Sequence, residues 1–170
     1  MISDAKEILE KVSRDYGEAL YWHIRRLVVS HDDAEDALQE TFIKVFSKAQ
    51  SFSGREESLR AWAYSIATRE ALQTLRRRKH FFQSMDSVGK NLTDIVDREA
   101  SPSAGKEEIL LQKAILSLGT VQRLVFNLRY YDDMPYEQIA KVTGKSEGTL
   151  RTNYHYAVDK IKKYVKENSI

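Results

Sequence analysis

Between Trp62 and Phe82 the chain interleaves aromatic and cationic side chains: Trp62, Tyr64, Arg69, Arg76, Arg77, Arg78, Lys79, Phe81 and Phe82. Aromatic faces stack on unpaired bases while Lys and Arg follow the phosphates, and that combination holds single-stranded DNA without base pairing. A second set lies near the other end, where Gly148, Arg151, Thr152 and His155 follow Lys145. Arginine can donate two hydrogen bonds to a guanine edge, threonine can meet a thymine methyl or a phosphate, and lysine can hold phosphate. A third set is acidic: Asp36, Gln39 and Glu40 recur with Lys44, and Ile43 sits among them. Those residue types suit either a protein-docking face or an ordinary solvated helix face.

Catalytic chemistry finds little support. His31-Asp32 is a dipeptide seen in metal phosphohydrolases, but such a site needs further converging ligands, and only His23, His80 and His155 remain. Asp32 is better explained as a helix cap. With no cysteine among 170 residues there is no disulfide framework, thiolate metal site or cysteine nucleophile, which fits a reducing compartment. Nor is there a glycine-rich phosphate loop or an activated-serine motif. The sequence therefore predicts a non-enzyme without cofactor or metal. Residues 1–20 mix charged and apolar residues too evenly for a signal peptide, and no long apolar run predicts a membrane span.

The formal net charge is only +2, yet it is unevenly spread. Residues 1–58 hold 8 basic against 12 acidic residues, and residues 59–90 hold 7 against 2. Residues 91–140 hold 5 against 8, and residues 141–170 hold 7 against 3. The alternation suggests two basic surfaces, each beside an acidic one, although any charged helical protein fluctuates in this way.

Helices must position these groups. Ala34, Ala37, Leu38, Thr41, Phe42, Val45, Phe46 and Ala49 form a continuous i, i+3, i+4, i+7 stripe, which shares one face only in a helix. Asp32 or Asp33 is its expected N-cap. Before it, residues 4–29 read as a helix with Ile8, Val12, Leu20, Ile24 and Leu27 inward. After a turn through Ser53 and Gly54, a third helix carries Leu59, Trp62, Ala63, Ile66, Ala71, Leu72 and Leu75, and ends in the basic run 76–79. Residues 83–107 are polar and aperiodic, too long for a loop inside a compact domain, and read as a linker. Helices are then expected at 108–117, 120–132, 135–143 and 147–167, with Thr120 capping the second and Pro135 in the first turn of the third. No segment alternates with period two. The expectation is an all-α protein of two small helical domains, 1–82 and 108–170, on a flexible linker.

Near the C-terminus a short helix stops at Gly144, which can adopt the left-handed conformation, and Ser146 can cap a new helix two residues later. Ala140 is small where two helices would cross, and Leu150 returns to the core. That is the pattern of a helix-turn-helix, whose second helix enters the DNA major groove. Leu150, Tyr154, Ala157, Val158, Ile161 and Val165 share its inward face, while Arg151, Thr152 and His155 lie opposite. A plain αα-hairpin is the alternative, and Ala140, Gly144 and the Ser146 cap weigh against it. For the basic third helix the residues alone leave both readings open. Trp62 lies on its apolar stripe, and an arginine run also suits a solvated helix end.

At this point the chain resembles a known family. DAEDALQETF over residues 33–42 and FSGREESLRAWAYSIA over residues 52–67 look like the second conserved region of bacterial sigma factors. QRLVFNLRY over 122–130, YEQIA over 136–140 and GTLR over 148–151 look like the fourth. With no third region between them, the chain is similar to the compact extracytoplasmic-function group. The resemblance implies a cytoplasmic, monomeric factor that binds core RNA polymerase and directs it to promoter DNA, under the control of an anti-sigma partner. It further implies that Asp36, Gln39, Glu40 and Phe42 dock on the polymerase. Residues 53–58 with Trp62, Tyr64, Arg69, Arg76, Arg77, Arg78 and Lys79 would read and melt the −10 element, capturing a flipped base. Lys145, Ser146, Thr149, Arg151, Thr152, His155 and Tyr156 would read the −35 element. The chain departs from the family at Arg69, where Asn is frequent, near Gln73, where an Asp or Asn is missing, at Asn153 and Tyr156, where Arg is common, and at Gly119, where Pro is frequent. These departures bear on which promoter is read.

Overall fold

The computed structural model describes residues 4–82, 92, 93, 95–97, 99 and 105–169, the side chains of 79–82 excepted. Every regular element among them is helical. The first module holds α1 (Ala5–Val28), α2 (His31–Ser47) and α3 (Leu59–Phe82), with short 3-10 turns at Ala49–Ser51 and Glu56–Ser58. The second holds α4 (Lys106–Leu116), α5 (Thr120–Tyr130), α6 (Tyr136–Thr143) and α7 (Glu147–Asn168).

The helical stripes pack as their spacing dictates. Ile8, Val12, Leu20, Ile24 and Leu27 of α1 are at most 1% exposed, and Ala34, Ala37, Thr41 and Val45 of α2 face them. Phe46 departs from the expected stripe and is half exposed, because α2 ends one residue later and the chain turns away there. Caps also differ from expectation. Ser30, rather than Asp32 or Asp33, caps α2 by accepting from the Asp33 N–H at 3.4 Å, which leaves both aspartates in the first turn where the helix dipole favours them. Gly119 occupies the N-cap of α5 and Thr120 becomes its first helical residue; Pro135 likewise precedes α6 as its N-cap.

The two modules do not stand apart. Leu124, Val125, Leu128, Met134, Ile139 and Leu150 join the core built by α1, α2 and α3 in one continuous cluster. Ala114, Ile115, Leu118, Phe126, Ala157 and Ile161 form a second core within the C-terminal module. Inside the segment expected to be an aperiodic linker, Leu92, Ile95 and Val96 are at most 5% exposed and belong to the shared core. Their i, i+3, i+4 spacing supplies one apolar helical edge, enough to pack between larger surfaces. Flanking carboxylates tie that edge to both modules: Asp97 pairs with Lys113 of α4 at 2.9 Å, and Glu99 lies 3.6 Å from Arg25 of α1.

Candidate nucleic-acid and polymerase interfaces

The C-terminal face is built by a tight junction. Gly144 ends α6 with φ +76°, a left-handed conformation that glycine adopts without steric cost, and its N–H donates to Ala140 O at 2.8 Å. Ser146 then caps α7, its hydroxyl oxygen accepting from the Thr149 N–H at 3.2 Å. Leu150, fully buried, and Ile139, also fully buried, lock the helix pair together. Lys145, Ser146, Thr149, Arg151, Thr152, His155 and Tyr156 are thereby all turned to solvent. Arg151 is held in place, donating to Glu147 at 3.3 Å with its guanidinium 5.0 Å from the Tyr136 ring centroid. His155 lies 3.6 Å from Asp159. The inward face follows expectation: Ala157 and Ile161 are buried, and Tyr154 stacks on Phe126 with centroids 5.8 Å apart.

The basic helix α3 is a mixed surface. Arg69, Arg76 and Arg77 are exposed, and Arg78 is paired with Asp33 of α2. The side chains of Lys79, Phe81 and Phe82 lie outside the described residues. Trp62 is half-buried, its ring 5.0 Å from that of Phe52. Gly54 lets the preceding loop close over this pair, since a Cβ there would come within 3.1 Å of both the Phe52 ring and Ser58. Lys11 of α1 pins the same loop through Glu56 at 2.5 Å. Tyr64, however, is completely buried against the second module. Opposite, α2 presents Asp36, Gln39 and Glu40 together to solvent, beside exposed Ile43 and half-buried Phe42.

The seam between the modules is held by polar contacts that no sequence pattern marks. The Tyr64 hydroxyl donates to Asp132 Oδ1 at 2.7 Å, and Arg60 donates to the Asp132 carbonyl at 2.8 Å and to Gln138 at 3.4 Å. Arg26 stacks on the Tyr131 ring at 4.2 Å, and Arg123 donates to the Leu27 carbonyl at 3.3 Å. Burial raises the Asp132 carboxyl above its ordinary value, partly offset by the Tyr64 bond, and burial with the nearby carboxylate raises the Tyr64 phenol. His23, fully buried, bonds through Nε2 to Thr68 at 2.8 Å; burial, then the Arg26 charge, pushes it down to about 3, so it is neutral. Burial also lowers Arg123 to about 10. Among the described residues, the buried side-chain atoms with no hydrogen-bond partner are His23 Nδ1, Arg123 Nε, both amide atoms of Asn127, and Asp132 Oδ2. All belong to residues at this seam. No periodic signal marks these residues, because they are polar and their bonds span 45 to 96 positions.

Such a molecule is an all-α protein that presents a helix-turn-helix beside a basic aromatic helix, with an acidic face apart from both. Residues 12–81 match the Sigma-70 region 2 family and residues 108–161 match Sigma-70, region 4. The chain is 27% identical over 160 residues to the RNA polymerase sigma factor YlaC of Bacillus subtilis, covering 93% of this chain and 92% of that one. It is also 27% identical over 155 residues to the ECF RNA polymerase sigma factor SigL of Mycobacterium tuberculosis, covering 91% and 87%. A co-crystal structure of the sigma factor RpoE with the anti-sigma factor NepR from Bartonella quintana shares the fold, with a TM-score of 0.71 at 22% identity over 94% of this chain and 97% of that one. The chain belongs to the sigma-70 family, in its extracytoplasmic-function group, and is an RNA polymerase sigma factor that directs transcription initiation. No described helix is long and apolar enough to cross a membrane.

Proposed function

We propose that the two modules divide the work of initiation, residues 1–82 docking on core polymerase and opening the −10 element, residues 108–170 reading the −35 element, and residues 83–107 connecting them. The observation that carries this reading is the solvent face of α7, where a capped, buried-core junction holds Lys145, Ser146, Thr149, Arg151, Thr152, His155 and Tyr156 in one outward row. Pre-organised donors on a rigid helix are what base reading in a major groove requires. The exposed trio Asp36, Gln39 and Glu40, flanked by Phe42, supports polymerase docking through α2. Exposed Arg69, Arg76 and Arg77 beside half-buried Trp62 support a −10 surface on α3; Arg78 and Lys79 continue the same basic run in the sequence, while Tyr64 is covered by the second module and lies outside the exposed part. The protein acts as a cytoplasmic monomer. Its likeness to a sigma factor crystallised with an anti-sigma factor supports control by a partner of that kind.

Run-off transcription with core polymerase across a promoter library tests the assignment. A transcript that depends on matched −10 and −35 sequences is expected. Tight binding to duplex DNA by the free protein, with no transcript when core enzyme is supplied, would instead indicate a conventional helix-turn-helix regulator.

A further inference from the structure

A cleft of about 420 Å³ lies between α1, the segment carrying Val96 and Glu99, α4 and α5. Small-molecule sites usually measure about 300–1,000 Å³, so this one suits a ligand of modest size. Val29, Val96, Ile109, Ile115 and Leu116 give it apolar walls, and the ring of Trp22 stands beside them 44% exposed. Three polar side chains of the lining are left with bonding capacity. Asn127 is 1% exposed, and neither its amide nitrogen nor its amide oxygen has a hydrogen-bond partner. Arg26 is half-buried, its guanidinium stacked on the Tyr131 ring at 4.2 Å and making no hydrogen bond among the described residues. Glu108 is exposed and makes no ion pair among the described residues. Arg25, by contrast, is committed, donating to the Val29 carbonyl at 2.6 Å and to the Tyr21 hydroxyl at 3.0 Å. None of these groups belongs to the polymerase-docking face or to either promoter-reading surface.

We propose that this cleft is a binding site for a purine mononucleotide, with the base edge on Asn127 and the phosphate on Arg26. A carboxamide presents one donor and one acceptor side by side, which matches the N6 and N7 edge of adenine. A buried amide lacking both bonds is unfavourable, and a ligand that supplies both relieves it. The base brings two apolar faces to apolar walls, and Trp22 offers a flat ring for stacking. The charged end of the ligand then stays outward, where the planar fork of the Arg26 guanidinium suits phosphate. Ribose hydroxyls between the two ends can donate to the Glu108 carboxylate. The volume selects a mononucleotide over a dinucleotide.

Isothermal titration of the full chain with AMP tests the site, with adenosine, ribose 5-phosphate and CMP as comparison probes. AMP should bind one to one, at least tenfold more tightly than any of the three. Arg26→Gln should weaken AMP severalfold and leave adenosine unchanged, because only the phosphate contact is lost. Replacing buried Asn127 risks the fold, so the cleft is instead filled from half-buried Ile109. Ile109→Trp, with its helical circular dichroism retained, should abolish binding of both AMP and adenosine. No heat from AMP at millimolar concentration overturns the proposal, as does AMP binding that survives Ile109→Trp undiminished. Ribose 5-phosphate or CMP binding as tightly as AMP overturns the purine assignment, since the base would then contribute nothing specific. Transcription enters none of these measurements, so their failure leaves the sigma-factor reading untouched.

Discussion

The two basic surfaces of this protein differ in how they are presented. On α7 the row from Lys145 to Tyr156 faces solvent, and its backing residues Leu150, Ala157 and Ile161 belong to well-packed cores. On α3 the arginines face solvent, while Tyr64 is buried in the seam and Trp62 is half covered. A duplex can be read by a rigid surface that is ready beforehand, because the base edges are already displayed in the groove. Unpaired bases exist only after the duplex opens, and a surface that stacks on them has no use before that moment. The difference in exposure fits the proposed division of work, in which α7 reads a duplex that already displays its base edges and α3 meets bases only once they are unpaired.

The comparison is most exposed to failure at the support of α7. Leu150 is fully buried at the point where α6, α7 and the shared core meet. Leu150→Ala should destabilise the protein by about 2–5 kcal/mol through lost burial and the cavity left behind, read as a shift in the urea midpoint. A loss under about 1 kcal/mol would show that the junction collapses around the gap and that the reading face is not rigidly backed.

Next in size are the reading residues. Arg151→Ala should weaken promoter binding of the polymerase complex by about 1–3 kcal/mol, confined to promoters with the cognate upstream element. Arg77→Ala, on the exposed side of α3, should weaken binding to all sequences alike and lower the salt slope by about one. Fluorescence anisotropy over a salt series separates the two. Equal losses for Arg151→Ala on cognate and randomised upstream sequences would remove its base-reading role.

These contrasts also mark how far the sequence can be read. The helix-turn-helix was legible to the residue, because Gly144, Ser146 and Leu150 are local signals whose physics acts within one or two turns. The stripes of α1 and α2 were legible for the same reason, apart from Phe46. Tyr64 was read as a nucleic-acid contact from its aromatic ring, but its burial depends on Asp132, 68 positions away, and no local rule connects them. The polar seam residues His23, Arg123 and Asn127 break the apolar pattern, so periodicity assigns them no inward position. The packed edge of Leu92, Ile95 and Val96 was present in the sequence but too short to register against its polar neighbours.

The seam itself should respond to acid. His23 is held neutral, with its value lowered from 6.5 to about 3 by burial, whereas the unfolded chain takes up a proton as pH falls through 6.5. Stability should therefore be fully present above pH 7 and decline below about 6.5, by up to about 1.4 kcal/mol per pH unit until about pH 3. Asp132 acts in the opposite sense, since its raised carboxyl favours the folded form at acid pH, so the slope is cleanest just below pH 6.5, where the His23 effect begins. Urea midpoints over that range should show the slope in wild type and a flatter line in His23→Gln. A slope that survives this substitution would place the titration elsewhere than the seam.

The smallest effects compare two serines with the same structural task. Ser30 and Ser146 each cap a helix, accepting from Asp33 N–H at 3.4 Å and from Thr149 N–H at 3.2 Å. Replacing either by alanine should cost about 1 kcal/mol of stability, since one orphaned amide loses its acceptor. Ser30→Ala should be the milder, because Asp32 and Asp33 in the first turn of α2 still satisfy its dipole, while α7 has only Glu147 there. Only Ser146→Ala should also weaken binding to the upstream element, since the first turn it organises carries Thr149 and leads directly into Arg151. Matched stability losses without any change in promoter binding would mean that the start of α7 is reorganised on DNA, and that its face is not finished before the encounter.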